Sequence, residues 1–557
     1  MLHKHALPFL ITLLSLSFGS AVWLAFRAPI FVDDAHWLIQ NSRALYDNLH
    51  IINLYPQCIS NFAQSVPWPL LPGRIFASLF HPETLIGIRY FGLIKYLLCV
   101  VLVASAIWLL FEKRPAFWLI LCAVVVLLSL GSLPLIMTMN RPESSILIGM
   151  CLMLLIPLMS VRLATPSGLI YAISIYLCVL SWLFSTHPKV QILIPAALLA
   201  TSMFSIQDQR RRILLLVAVG SICISSVMLW KNHSTCPDYT MIETRLSWHS
   251  VLPQDITNKP DAAIRQIAQN IKETYTHFAP AIQTTKRYIG FFTVTGTTAI
   301  YQNAYTAINA INVILFLCVL ILLGISIVTR LRWHHRNSNW KHTSWLMLAL
   351  AIMLPAMLVI LTLKHSHAKE GGMIIGTLLL ACSLCIWLNG WHIKYAGVVR
   401  HTFMVLIPLG ILNHALFFDQ WNTLFQHTAN PTLTKHGYFE ADNRFQTIFD
   451  SVERNQAIIK AATACNINAS NAKHLVVDDY TYMPFYKTFQ PFYGRTLFLW
   501  GVPNKDYIGF LYKTGSDGVV TLCSSLPKRL KPLALENNGI CCISKQRLQQ
   551  PLIHNTH

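Results

Sequence analysis

The stretch Gly168–Ser185, GLIYAISIYLCVLSWLFS, decides what kind of chain this is. It holds no charged residue, and Arg162 and Lys189 stand just beyond its two ends. A helix of that length is about 27 Å long, close to the roughly 30 Å of a bilayer's hydrocarbon core. Outward from it in both directions, apolar stretches of about 17–23 residues recur. On the N-terminal side they are Leu7–Phe26, Phe91–Phe111, Ala116–Met137 and Ser144–Val161. On the C-terminal side they are Val190–Ile206, Ile213–Trp230, Ala307–Val328, Ser344–Leu363, Met373–Leu388 and Thr402–Phe418. The fold expected is a polytopic α-helical membrane protein of about eleven transmembrane helices.

Composition agrees. Of 557 residues 54% are hydrophobic and only 12% charged, half the roughly 25% usual in a soluble domain. The formal charge of +20 raises the question of nucleic acid. The basic residues, however, sit in short clusters between apolar runs, a topology signal rather than a phosphate footprint. With the N-terminus inside, alternate loops carry Lys113 and Arg114, Arg162, Arg210-Arg211-Arg212, Arg330 to Lys341 and Lys394 to Arg400, every one positive. The opposite side then receives loops 27–90 and 231–305, the short connections 138–143 and 186–189, the segment 364–372, and everything after Asp419. The run after Met1-Leu-His-Lys-His5 also fits a signal peptide, but it is long and lacks a small-x-small site, so a retained anchor is expected.

Two domains follow: a membrane domain over 1–418 and a soluble C-terminal α/β domain over 419–557 on the non-cytoplasmic side. In the latter, Arg444–Ala464 reads as an amphipathic helix, Lys505–Lys513 as a second, and His474–Asp478, Thr496–Trp500, Val519–Cys523 and Ile540–Ser544 as strands. Six of the 14 cysteines fall outside the spans, Cys58, Cys236, Cys465, Cys523, Cys541 and Cys542. One or two disulfides in the C-terminal domain are consistent with an oxidising compartment, with pairing open. In loop 231–305, Ala262–Phe278 has Ile264, Ile267, Ala268, Ile271 and Tyr275 at helical spacing, for a helix lying on the outer leaflet or on the protein's own loops.

Four polar clusters share the outer side. Asp33-Asp34 lies a few residues past the first span, before His36-Trp37. Adjacent carboxylates repel, so a cation or a hydroxyl network must offset them, or one of them caps the following helix. Asn140-Arg141-Pro142-Glu143 offers Arg141 as a phosphate clamp and Glu143 as its partner or a metal ligand. Thr186-His187-Pro188-Lys189 places His187 and Lys189 near the membrane plane, as ligands or as a plain turn with a snorkelling lysine. Lys364-His365-Ser366-His367-Ala368-Lys369-Glu370 puts Lys364, His365, His367 and Lys369 where positive charge is normally disfavoured, which points to an anionic ligand. Arg74 is a further cation of the first loop, whereas the spans hold few charges, Lys95 lying near the end of one. A second acidic pair, Asp478-Asp479, follows a strand and reads as a turn.

A carboxylate pair facing several cations suits displacement of a lipid phosphate from an activated sugar, the carboxylate serving the acceptor hydroxyl and the cations the leaving phosphate. Asp33-Asp34 soon after the first helix, Arg141-Pro142-Glu143 after the third, and the Thr186-His187-Pro188 turn resemble the GT-C superfamily of polyprenyl-phosphate-sugar-dependent glycosyltransferases. That superfamily includes protein O-mannosyltransferases and the aminoarabinose transferases of lipid A. The resemblance covers about the first two hundred residues by motif and the rest by topology. It implies an inverting transfer with Asp33 and Asp34 as base or metal site. It also implies a divalent metal (Mg or Mn) in some members, held here by Asp33, Asp34 and Glu143, and Arg74, Arg141, His187, Lys189, Lys364, His365, His367 and Lys369 on the donor phosphate. Many members carry a basic residue before an Arg-Tyr pair in a late outer loop, where this chain has Lys364–Glu370.

Two other classes are weighed. An O-antigen ligase or polymerase would rely on Arg and His in a large late outer loop. A transporter or flippase of lipid-linked sugars would place ionisable groups at the bilayer midplane, often in inverted repeats. The partners expected are a polyprenyl-phosphate-linked sugar, a lipid, glycan or protein acceptor, and membrane lipids. The expected location is a bacterial inner membrane with the C-terminal domain in the periplasm. An endoplasmic reticulum is the alternative, where Asn232-His-Ser234 and Asn468-Ala-Ser470 would permit glycosylation.

Overall fold

The computed structural model describes chiefly residues 67–79, 85–111, 142–160, 165–186, 188–204, 208–233, 253–269, 452–468, 506–513, 516–523 and 526–554, with shorter pieces between them and short helical pieces within 8–23. The first element is a 3-10 turn, Trp68–Leu70, running into α1, Leu71–Ser78. Then come α2 (Leu85–Phe111), α3 (Pro142–Ser160) and α4 (Pro166–Thr186). A 3-10 helix over Pro188–Leu193 leads to α5 (Ile194–Thr201), and α6 runs over Gln209–His233. Helix α7 is Pro253–Asn258, and residues 260–269 are helical too.

These helices overlap the stretches read from the sequence, with longer ends. Pro142 and Pro166 open α3 and α4, where a residue without an amide N–H costs nothing. Asp208 starts α6, its Oδ1 accepting a hydrogen bond from the Arg210 N–H at 2.9 Å. Two helices, Pro166–Thr186 and Gln209–Leu229 within α6, are long and apolar enough to cross a membrane. The expected span Val190–Ile206 differs: it divides into a six-residue 3-10 helix and an eight-residue α-helix. Pro188 and Pro195 supply the reason, since each removes a donor from the α ladder and is tolerated only where a helix begins. Among the described residues, 321, 325 and 415 are helical and fall in two further expected spans, whose remaining residues, like those of Ala116–Met137, Ser344–Leu363 and Met373–Leu388, lie outside the description.

Lateral contacts fix which ends lie together. Lys95 of α2 meets Ser145 of α3, Gly149 of α3 faces Leu183 of α4, and the Ser226 hydroxyl of α6 donates to the Phe184 carbonyl of α4 at 2.8 Å. Lower down, the Tyr176 hydroxyl of α4 donates to the Ala197 carbonyl at 3.0 Å and lies 3.2 Å from the Thr201 hydroxyl, while its ring meets Phe204 edge-on. So the starts of α2 and α3 and the ends of α4 and α6 share one end of the bundle. The Arg210–Arg212 cluster stands at the opposite end, some 25 Å along α6 from Ser226.

Beyond residue 452 the chain forms a mixed five-stranded sheet ordered β2-β1-β3-β5-β4. Its strands are β1 (Leu475–Val477), β2 (Phe492–Tyr493), β3 (Gly518–Leu522), β4 (Leu535–Asn537) and β5 (Ile540–Ser544). Strand β1 pairs in parallel with β2 and β3, and β5 runs antiparallel to β3 and β4. Alternation sorts the core. Leu475, Val477, Val520, Ile540 and Cys542 face α8 (Val452–Ala464), whereas Val476, Val519, Cys541 and Ile543 share the other face with Leu511 of α9 (Tyr507–Lys513) and Leu548 of α10 (Lys545–His554). Asn538 and Gly539, both at positive φ, make the two-residue turn between β4 and β5. Two disulfides join Cys465 to Cys542 and Cys523 to Cys541. The expected strand Thr496–Trp500 lies outside the described residues, and β2, β4 and α10 were not read from the sequence. Phe91, in the first turns of α2, packs against the core between the sheet and α8.

Candidate functional site

The one predicted site residue whose side chain is described is Arg74, and its placement comes from its neighbours. Helix α1 lies across the end of α4 because Gly73 has no side chain. A Cβ there would run into the backbone of Ser181 and Trp182. The close approach lets the Gly73 N–H donate to the Ser181 hydroxyl at 2.9 Å, and Phe76 meets the Trp182 ring edge-on at 6.3 Å. Arg74 is left only 4% exposed. Burial lowers its guanidinium to about 10, which keeps it protonated at neutral pH.

Two more buried cations stand at the same end of the bundle. Arg89 and Lys95, 3% and 8% exposed, sit in the first three turns of α2. The Lys95 ammonium donates to the Ser145 hydroxyl at 2.9 Å and lies 5.5 Å from the centre of the Phe91 ring. Sequence reading passed over Arg89 and counted Lys95 only as a charge near a span end. The available signal was two basic residues in the opening turns of a 27-residue helix. That helix is about 40 Å long, so it exceeds a bilayer core by roughly 10 Å and can hold Arg89 and Lys95 at the boundary.

The other predicted residues divide as follows. Glu143 is the second residue of α3 and Lys189 lies in the 3-10 helix after α4, so their backbones share the end that holds Arg74. Their side chains lie outside the described residues, as do Asp33, Asp34, Arg141, His187, Lys364, His365, His367 and Lys369. In the helical pair 253–269, Ile256 and Ile264 are 51% and 63% exposed while Ala263 is buried. Residues 262–269 of the helix expected over Ala262–Phe278 thus turn Ile264 outward.

One further group collects ligand-type residues, Cys523, Glu536 and Cys541. The two sulfurs are joined to each other, so neither offers a thiolate to a metal.

No protein-family model and no curated protein sequence matches the chain. Among solved structures it is similar to ArnT from Cupriavidus metallidurans bound to undecaprenyl phosphate, at 13% identity and TM-score 0.45, over 96% of this chain and 98% of that one. The apo state of the same protein gives 12% identity and TM-score 0.45, over 97% and 98%. The Archaeoglobus fulgidus oligosaccharyltransferase in complex with Zn and sulfate gives 11% and 0.39, over 92% of this chain and 68% of that one.

Proposed function

We propose that the chain is an integral membrane glycosyltransferase that moves a sugar from a polyprenyl phosphate to an acceptor at the non-cytoplasmic face. The observation that carries this is the burial of Arg74, Arg89 and Lys95 at one end of an apolar helix bundle. Cations buried within an apolar helix bundle are rare and mark the places where such proteins handle ions or charged substrates. A lipid phosphate at the membrane boundary is one such substrate. A transporter would instead place such groups near the midplane.

In this reading the acceptor hydroxyl oxygen attacks the anomeric carbon from the face opposite the phosphate. The C–O bond to the phosphate breaks and the anomeric configuration inverts. Asp33 or Asp34 takes the hydroxyl proton, and the polyprenyl phosphate leaves with its negative charge held by Arg74, Arg141, His187, Lys189 and the cations of 364–369. Fixed cations in a site with little water act more strongly on that developing charge than they would in solution. Should a metal take part, Asp33, Asp34 and Glu143 form an all-oxygen donor set suited to Mg or Mn rather than to Zn.

The test uses the full chain with undecaprenyl phosphate, the lipid bound in the ArnT structure, as probe. Asp33→Asn combined with Asp34→Asn is expected to end sugar transfer while undecaprenyl phosphate still binds. A doubly substituted protein that transfers sugar at the normal rate would overturn the proposal.

A further inference from the structure

One row of residues crosses the C-terminal sheet from its interior to its edge. Thr521 of β3, Cys541 of β5 and Glu536 of β4 stand directly opposite one another in the two antiparallel ladders, so they share a face. Cys523, two residues past Thr521, packs on the same face, and its N–H donates to the Gly539 carbonyl at 2.9 Å. The two sulfurs and the Glu536 carboxylate lie within 4.8 Å of one another. Main-chain pairing thus gathers two sulfurs and one oxygen from three segments of chain, independently of the Cys523–Cys541 bond.

Thr521 is fully buried, and its hydroxyl has no hydrogen-bond partner among the described residues. A bridged sulfur is a weak acceptor and leaves that donor unserved, whereas a thiolate carries the charge a hydroxyl donates to. The row therefore sets an orphaned donor beside a sulfur that lacks charge only while it is bridged. Access also singles out this bridge. Cys523 is half-buried and Glu536 is exposed on the edge strand, while Cys465 and Cys542, on the other face, are 3% and 1% exposed.

We propose that reduction of the Cys523–Cys541 bridge opens a zinc site made of the two thiolates and the Glu536 carboxylate, with Thr521 donating to a ligating thiolate. The reductant is a dithiol: one of its thiolates attacks the Cys523 sulfur, the other resolves the mixed disulfide, and it leaves oxidised to its own disulfide. The zinc ion then displaces the two thiol protons, so bridge, dithiol and zinc ion become a zinc dithiolate, an oxidised dithiol and two protons. Zn–S bonds of about 2.3 Å set ligating sulfurs about 3.8 Å apart, within reach of two cysteines whose Cα atoms are 4.7 Å apart. Two thiolates select zinc over Mg or Mn, and three protein ligands leave a fourth tetrahedral position to water. The site stands in the C-terminal unit alone and does not depend on the transfer reaction.

The test uses the full chain in detergent, either bridged or reduced with dithiothreitol that is then removed under argon, with zinc as ligand and cobalt as spectroscopic probe. Reduced wild type is expected to hold one zinc ion per chain more than reduced Cys523→Ser/Cys541→Ser, and to show a stronger thiolate-to-cobalt charge-transfer band. Equal zinc in the two would overturn the site. Glu536→Gln, a change on an exposed edge strand, should weaken zinc binding at least tenfold, and Thr521→Val several-fold. Unchanged affinity in Thr521→Val would overturn the role of its hydroxyl. If the double serine variant does not fold, Glu536→Gln is read alone, and unchanged affinity there overturns the site. Loss of the C-terminal fold on reduction, before zinc is added, would overturn the claim that strand pairing holds the ligands.

Discussion

Gly73→Ala is the most direct perturbation of the candidate site, because it changes one methyl group beside Arg74 and leaves every charge in place. The built Cβ meets main-chain atoms of Ser181 and Trp182, which cannot swing aside as a side-chain tip would. Helix α1 must therefore move by about an ångström or more to restore ordinary contact, at an overpacking cost of about 1–3 kcal/mol. The movement also stretches the 2.9 Å bond from the Gly73 N–H to Ser181, worth about 1 kcal/mol. The expected total is a loss of about 2–4 kcal/mol, seen as a lower Tm of the detergent-solubilised full chain, together with weaker undecaprenyl phosphate binding as the Arg74 guanidinium shifts. Ser181→Ala separates the two contributions, since it removes the hydrogen bond without the clash and should cost only about 1 kcal/mol. A Gly73→Ala protein with wild-type Tm and wild-type phosphate binding would refute the argument that α1 is seated by backbone contact.

Three further outcomes follow from the same structure. The Arg74 guanidinium, lowered to about 10 by burial, stays charged up to about pH 9 and loses its proton as pH rises through about 10. Its share of undecaprenyl phosphate binding should be flat from pH 7 to 9 and fall above 10, and a Lys substitution at 74 should shift that fall; a titration of binding against pH checks both. The Cys465–Cys542 bridge spans 77 residues and the Cys523–Cys541 bridge 18. Chain entropy then gives about 4.5 and 3 kcal/mol as upper figures. Cys465→Ser/Cys542→Ser should lower the Tm of the C-terminal unit more than Cys523→Ser/Cys541→Ser, and the reverse order would contradict the entropic account. Tyr176→Phe removes the hydroxyl bonded to Ala197 and close to Thr201, and should cost about 1 kcal/mol, read by thermal unfolding.

The helices were legible because their driving force is one-dimensional: a run such as Gly168–Ser185 needs only length and the absence of charge to declare itself. The strand Ile540–Ser544 was legible for a related reason, a short run rich in β-branched and apolar residues that is buried on both faces. Strand β2, with two residues, and β4, with Leu535 and Glu536 exposed, carry too little apolar pattern to be found. The break at Pro188 and Pro195 was written in the sequence, but hydropathy averages over it. The site was less legible than the fold. Arg74 was read as an outer-loop cation, yet nothing in its own residue type signals that it is buried; that follows from Gly73 docking on Trp182, a contact between positions far apart in the chain. Arg89 was missed for the converse reason. Just before the apolar run Phe91–Phe111 a basic residue looks like a boundary marker, and only the packing of α2 beside α3 turns it into a buried charge at the end of a bundle.

That contrast bears on where chemistry sits in such a chain. Apolar spans specify themselves residue by residue, so they tolerate many sequences and say little about function. A buried cation is different, because each one lowers stability unless something else in the molecule compensates. Arg74 is held by a glycine contact, Lys95 by a serine and a phenylalanine that reaches into another core. Those supporting residues have no reason to be there for the helices' sake: α4 would pack without Ser181 facing α1, and α2 would cross a bilayer without Phe91 beneath the sheet. The structure expends its specific contacts on keeping positive charge at one end of the bundle.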